Sequence, residues 1–104
     1  MATAVTDDRE RMRYDISEGG RPVGFVTYRL RPDLIDLVHT EIDADHEGHG
    51  LAAILVRAVL DDARSRGLAV LPTCPYVATF IGEHADEYLD LVPAERRRQF
   101  RLTD

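Results

Sequence analysis

The period of the apolar residues divides the chain into segments. Met12, Tyr14 and Ile16 alternate with polar neighbours, as in a strand with one buried face. Glu18-Gly19-Gly20 reads as a turn. Val23 to Leu30 is rich in β-formers, but its alternation changes phase around Phe25-Val26, which predicts a bulge or burial on both faces. Arg31-Pro32-Asp33 is the next turn, and Leu34 to Ile42 is a third strand. Its two faces are expected to be Leu34, Asp36, Val38, Thr40, Ile42 and Ile35, Leu37, His39, Glu41. With such short connections the three strands form an antiparallel meander.

The period then lengthens. From His49 to Arg66, residues Ala52, Leu55, Val56, Val59, Leu60 and Ala63 fall on one helical stripe, with Arg57, Asp61 and Arg64 opposite. Gly67 suits the left-handed position that ends such a helix. Leu68-Ala69-Val70-Leu71 is a short apolar run closed by Pro72, as in a buried strand. Strand, crossover helix and strand make a right-handed βαβ unit with parallel strands. A second helix is expected over Pro75 to Glu83, with Pro75 in its first turn, and a further turn or short helix over 86–92. Residues 1–10 are polar and lack a period, so a flexible N-terminus is expected there. One domain over 11–95 and a charged tail over 96–104 complete the division. The class is α/β (α+β), with helices packed on a mixed sheet.

Composition narrows the function. At 104 residues the chain is one small domain, and its formal charge of −6 argues against general binding of nucleic acid. No apolar run is long enough to span a bilayer and no signal-peptide pattern opens the chain, so no membrane partner and a cytoplasmic location are expected. A lone cysteine, Cys74, excludes an internal disulfide and a Cys-x-x-Cys zinc site. The strongest chemical signal is the order strand, glycine turn, helix start. Gly48 and Gly50 permit a tight turn and close approach of a ligand, and the first N–H groups of the helix lack partners within it. That arrangement points to a phosphate or pyrophosphate group.

Four blocks in order carry a resemblance. They are His39-Thr40-Glu41-Ile42, Glu47-Gly48-His49-Gly50-Leu51-Ala52, Pro72-Thr73-Cys74-Pro75, and His84 before Glu87-Tyr88. Over residues 12–92 the chain resembles the small, minimal members of the GCN5-related N-acetyltransferase superfamily, in particular a short acetyltransferase-like subfamily with a Pro-x-Cys-Pro segment. The superfamily loop Gln/Arg-x-x-Gly-x-Gly/Ala is matched at Gly50 and Ala52, with Glu47 in the first position. The resemblance implies a minimal fold of that type and an acetyl-CoA-dependent N-acetyltransferase acting on a small-molecule or peptide amine. It also implies that backbone groups of Thr40, Glu41 and Ile42 pair with the pantetheine arm. The N–H groups of Gly48, His49, Gly50, Leu51 and Ala52 would hold the pyrophosphate, and the strand at Leu68–Leu71 would splay to let the thioester reach Cys74. The tyrosine that protonates the leaving thiolate in larger members would fall near Gly82, and Tyr76 lies too early. Cys74 and His84 stand in its place.

The side chains leave alternatives. Cys74 is a nucleophile, a general acid or a small buried hydrophobe. His39 and Glu41, at i and i+2 on one strand face, are a base pair for deprotonating an amine or a solvated rim. His46 and His49 flank the turn, and His49 is placed to approach a phosphate. A metal site from His39, Glu41, His46 and His49 lacks the second cysteine of the zinc deaminases, so no metal is expected. Glu95-Arg96-Arg97-Arg98 is a charged helix end or a partner for the CoA 3′-phosphate. An acyl-CoA-binding or sensor module without turnover is the other class of function.

Overall fold

Five strands form one sheet in the order of the chain, β1 (Thr3–Asp8), β2 (Arg13–Glu18), β3 (Arg21–Arg31), β4 (Leu34–Ile42) and β5 (Ala69–Leu71). The computed structural model describes residues 2–102. β1 to β4 pair antiparallel, and β5 lies parallel to β4. The crossover between these two contains α1 (Leu51–Ser65), and α2 (Pro75–Glu83) and α3 (Ala85–Tyr88) follow β5. The mixed sheet with packed helices is the α+β arrangement expected.

Apolar spacing determines which side of the sheet is covered. Leu51, Leu55, Val56, Val59, Leu60 and Ala63 of α1 are buried, and the same core holds Tyr14, Ile16, Val26, Tyr28, Ile35, Leu37 and Val70 from the sheet. Ala52, placed on that stripe by its spacing, is half-buried. The helix starts two residues later than expected, because Gly50 adopts φ 75° and serves as its N-cap. Its other end follows expectation. Gly67 has φ 69°, its N–H donates to the Arg64 carbonyl, and the Leu68 N–H donates to that of Ala63.

Both ends of the chain correct the sequence expectation. Residues 1–10 include a strand, whose only large apolar residue, Val5, packs on the core. Its register on β2 and two side-chain ties hold it. The Tyr28 hydroxyl donates to Asp7 at 2.6 Å, and the Arg66 guanidinium lies 3.6 Å from the same carboxylate. The tail expected from 96 is likewise docked as far as it is described. Ala94–Phe100 forms a 3-10 segment, Arg97 Nε donates to the Val92 carbonyl, and Leu102 is buried in the core. Residues 103–104 of that tail lie outside the described residues.

Two bulges set the phase of the sheet. Ser17 faces Pro22 while Ile16 faces Gly24, so Val23 is the extra residue in β3, slightly earlier than the phase change suggested. Tyr28 faces Leu37 while Thr27 faces His39, so Val38 is an extra residue in β4. This second bulge overturns the expected faces of β4. Ile35 and Leu37 point to the core, but His39 and Glu41 point to the other side of the sheet, where their side chains are 58% and 61% exposed.

Candidate active site

β4 and β5 stay together only briefly. Their ladder pairs Leu34 with Ala69, Ile35 with Val70 and Asp36 with Leu71. Pro72 has no N–H to continue it. The chain bows outward through Thr73, whose hydroxyl donates to Asp36 Oδ1, and the Cys74 N–H returns to the Leu37 carbonyl at 2.8 Å. Beyond that bond, α2 leads the chain away. The β4 edge from Val38 to Ile42 has β3 on one side and, among the described residues, no strand on the other. The splay expected next to Cys74 is present.

The free edge leads to the glycine turn. A 3-10 turn, Ala44–His46, follows β4, and then Gly48 (φ 84°) and Gly50 (φ 75°) bring the chain into α1. No side chain caps that helix, so its first N–H groups lack helical partners at this end. A cavity of about 350 Å³ lies there, lined by Ile42, His46, Gly48, Gly50, Ala52 and Tyr76 among others. Glu47 adds a carboxylate to its rim. His46 Nε2 is 3.9 Å from Glu18, and its ring meets that of His49 edge-on at 5.9 Å.

Cys74 is the N-cap of α2 and is 4% exposed, with its thiol donating to Thr40 Oγ1 at 3.3 Å. A buried small residue and a position at the splay are therefore both features of the same thiol. The bulge at Val38 makes this contact possible by returning Thr40 to the core side, opposite Val26. His39 and Glu41, on the open side, lie 3.4 Å apart between Nε2 and Oε1. Their neighbours are Phe25, whose ring is 6.3 Å from that of His39, and Arg13, stacked over Phe25 at 4.7 Å.

His84 does not join the site. It ends α2, ten residues after Cys74 and about 15 Å along the helix direction. Its ring stacks on Phe80 at 4.2 Å and Nδ1 is 2.8 Å from the Phe80 carbonyl. The Glu87-Tyr88 block has a packing role. Arg57 on α1 donates to Glu87 at 2.7 Å and to the Tyr88 hydroxyl at 3.0 Å, and that hydroxyl donates to Asp61 at 2.7 Å. The hydrogen bond from Arg57 holds the Glu87 carboxyl below the usual carboxylate range. Among the described residues, no three His, Cys, Asp or Glu side chains are grouped to hold a metal ion.

Tyr76 is the residue that spacing arguments set aside. As the second residue of α2 it stands beside α1 across the groove, 41% exposed. Burial of its ring, with the Glu83 carboxylate nearby, raises its phenol above the ordinary tyrosine value. The signal for it in the sequence is an aromatic residue that falls outside the buried stripe Val77, Phe80, Ile81.

Comparison with known proteins supports the likeness in these elements. The profile of the family described as GCN5-related N-acetyl-transferase matches residues 13–91. L-2,4-diaminobutyric acid acetyltransferase of Streptomyces coelicolor is 43% identical over 58 residues, 52% of this chain and 34% of that protein. The chain thus spans about a third of that relative's length. Protein NATD1 of Bos taurus is 31% identical over 90 residues, covering 83% of this chain and 79% of that protein. Among solved structures, a GCN5-like protein of Staphylococcus aureus superposes with a TM-score of 0.56 at 21% identity, over 86% of this chain and 87% of that one.

Proposed function

Because the chain belongs to the GCN5-related N-acetyltransferase family, we propose that it transfers the acetyl group of acetyl-CoA to the nitrogen of an amine. The observation that carries this is the parting of β4 from β5 beyond Asp36 and Leu71. It leaves an unpaired strand edge that runs directly into an uncapped helix N-terminus. A pantetheine arm offers amides to such an edge as an added strand would, here along Thr40, Glu41 and Ile42. The diphosphate then meets the N–H groups from Gly48 to Ala52, where the positive end of α1 favours it and two glycines present no Cβ.

In this reading the thioester sits at the splay, beside Cys74 and Thr40. The acceptor nitrogen enters the gap between the parted strands. Its ammonium is drawn by Asp36 and Glu41 and gives its proton to His39, which Glu41 orients at 3.4 Å. The nitrogen lone pair attacks the thioester carbonyl, the C–S bond breaks as the tetrahedral adduct collapses, and the second N–H proton lost in forming the amide balances the one taken up by the departing CoA thiolate. Tyr76 and Cys74 are the groups that flank its path and carry a proton to return to it. The Tyr76 phenol, raised by burial from an ordinary value already far above neutrality, carries its proton at neutral pH. The Streptomyces relative is named for a diamino acid, so free diamino acids belong among the acceptors tried.

The test has two parts. Calorimetry of acetyl-CoA with the wild-type chain should show one site, weakened in Gly50→Val. Mass-detected transfer should then reveal an acetylated amine within a panel of amino-acid amides, peptides, polyamines and diamino acids. Absence of binding overturns the assignment of the groove. Binding without transfer to any amine makes the chain an acyl-CoA-binding module.

A further inference from the structure

A second cavity, of about 590 Å³ against about 350 Å³ for the glycine-turn groove, lies on the far side of α2. Its floor is the helix face Pro75, Ala78, Thr79, Gly82, Glu83, spaced i, i+3, i+4, i+7, i+8 and so forming one continuous stripe. The opposite stripe, Val77, Phe80 and Ile81, is buried in the core. The outer wall is Gln99 to Leu102. Gly82 keeps the floor low, since a Cβ there would already touch Leu102 Cδ2 at 3.4 Å. Arg101 has φ 62°, a left-handed conformation uncommon outside glycine, and it turns the chain back along α2.

One end of this groove borders the splay from the side of the segment that follows β5. Thr73 and Pro75 line it on either side of Cys74, and the Thr73 hydroxyl is bonded to Asp36. The other end is at Glu83. Eight residues of helix separate Pro75 from Glu83, about 12 Å, which is the length of about four residues of extended peptide. A free diamino acid would fill only the first part. The lining separates the remaining candidates. A polyamine of that length needs carboxylates along its path, but the groove offers one, Glu83, and sets Arg101 in its wall. Thr79 can both donate and accept hydrogen bonds, the Thr73 oxygen can accept while its proton goes to Asp36, and the Gln99 amide nitrogen can donate while its oxygen accepts from Arg96, so backbone N–H and C=O groups both find partners, and the prolines, Ala78, Phe100 and Leu102 suit side chains.

We propose that this groove holds the first residues of a peptide or protein acceptor, with the α-amine at the splay and the chain running along α2 toward Glu83 and Arg101. The proposal rests on the acetyltransferase reading and names its substrate class. It is tested by transfer from acetyl-CoA to alaninamide, dialaninamide, trialaninamide and tetra-alaninamide, with spermidine and 2,4-diaminobutyrate alongside. The expected kcat/KM rises by about ten-fold or more along the series, the worth of one or two peptide hydrogen bonds, and levels off beyond the fourth residue. Thr79→Trp, from the helix side, and Gln99→Trp, from the outer wall, fill the groove from exposed positions. Each should abolish the rise while KM for acetyl-CoA is unchanged. A flat series, a rise that survives both substitutions, or a preference for spermidine or diaminobutyrate over every peptide overturns the groove and leaves the acetyltransferase reading intact. If acetyl-CoA binds and no amine is acetylated, the acetyltransferase reading fails and the groove is judged by titrating tetra-alaninamide into the 15N-labelled chain. Shifts confined to Thr79, Glu83, Gln99 and Phe100 retain it as a peptide site, and their absence removes it.

Discussion

The backbone N–H of Cys74 donates to the carbonyl of Leu37 at 2.8 Å, and this bond closes the contact between the β4 edge and the segment after β5. It holds the thiol at the point where the strands part, with its S–H directed to Thr40 Oγ1. Cys74→Ala retains that backbone bond and removes only the thiol. Turnover should fall while acetyl-CoA affinity changes little, as read by steady-state kinetics and calorimetry. A buried thiol engaged with Thr40 is not displayed for attack, so intact-mass analysis after incubation with acetyl-CoA alone should show no acetyl adduct on Cys74. Full activity in the alanine variant would leave the cysteine a packing residue.

His39 is the residue expected to take the proton of the attacking amine. His39→Gln should lower kcat/KM by about a hundred-fold, the lower end of what a positioned general base contributes. KM for acetyl-CoA should be unchanged. Glu41→Gln should cost less, because it orients the ring without receiving the proton. A loss of only a few-fold in His39→Gln would reduce the pair to a solvated rim.

Gly50, in the turn, and Gly24, which pairs with Ile42 across the sheet, should respond differently to substitution. At Gly50 a Cβ meets nothing within 4 Å, and only the φ of 75° opposes a side chain. Gly50→Val should cost about 1–2 kcal/mol of stability through that conformation and obstruct the diphosphate, so the larger effect is on acetyl-CoA affinity. At Gly24 a Cβ would lie 2.5 Å from Ile42 Cδ1 and 2.7 Å from the Glu41 carbonyl oxygen. Gly24→Ala should therefore cost about 1–3 kcal/mol by overpacking, and it displaces the β4 edge. Denaturant melts and calorimetry on both variants separate the two effects.

Leu55 is fully buried where α1 meets the sheet. Leu55→Ala should destabilise the chain by about 2–5 kcal/mol in denaturant unfolding. A change under about half a kcal/mol, the size of an ordinary surface substitution, would mean that another face of α1 is packed.

The Tyr28 phenol links the first strand to alkaline stability. Burial, followed by its hydrogen bond to Asp7, pushes it up from the ordinary 10.0 to about 12. The folded chain thus holds this proton more tightly than the unfolded chain does. The associated stability is complete below pH 10 and is lost as pH rises through about 12. Tyr14, raised by burial and by its hydrogen bond to Asp62, acts in the same direction. Unfolding midpoints should fall across that window, less steeply in Tyr28→Phe, where the titrating group is gone.

Local patterning by itself determined the meander, the crossover helix with its stripe from Leu55 to Ala63, the stop at Gly67, the β5 run and the second helix. Each of these is specified by residues within one or two turns of one another, and that is the range over which side-chain period and glycine conformation act. The same short range made the glycine turn and the helix start after it legible. Tertiary structure alone decided the rest. β1 carries a single apolar contact and exists because β2 offers a partner edge and Asp7 meets Tyr28 and Arg66 from distant segments. Phe100 and Leu102 dock because α2 and the core leave room for them, a condition no period within an arginine-rich tail reports. The bulge at Val38 turns His39 and Glu41 away from Ile35 and Leu37, and it follows from how Tyr28 and Thr27 pair across β3. Finally, α2 separates His84 from Cys74 and brings Tyr76 beside the glycine turn, since closeness along a sequence and closeness in space coincide only within a single turn of helix.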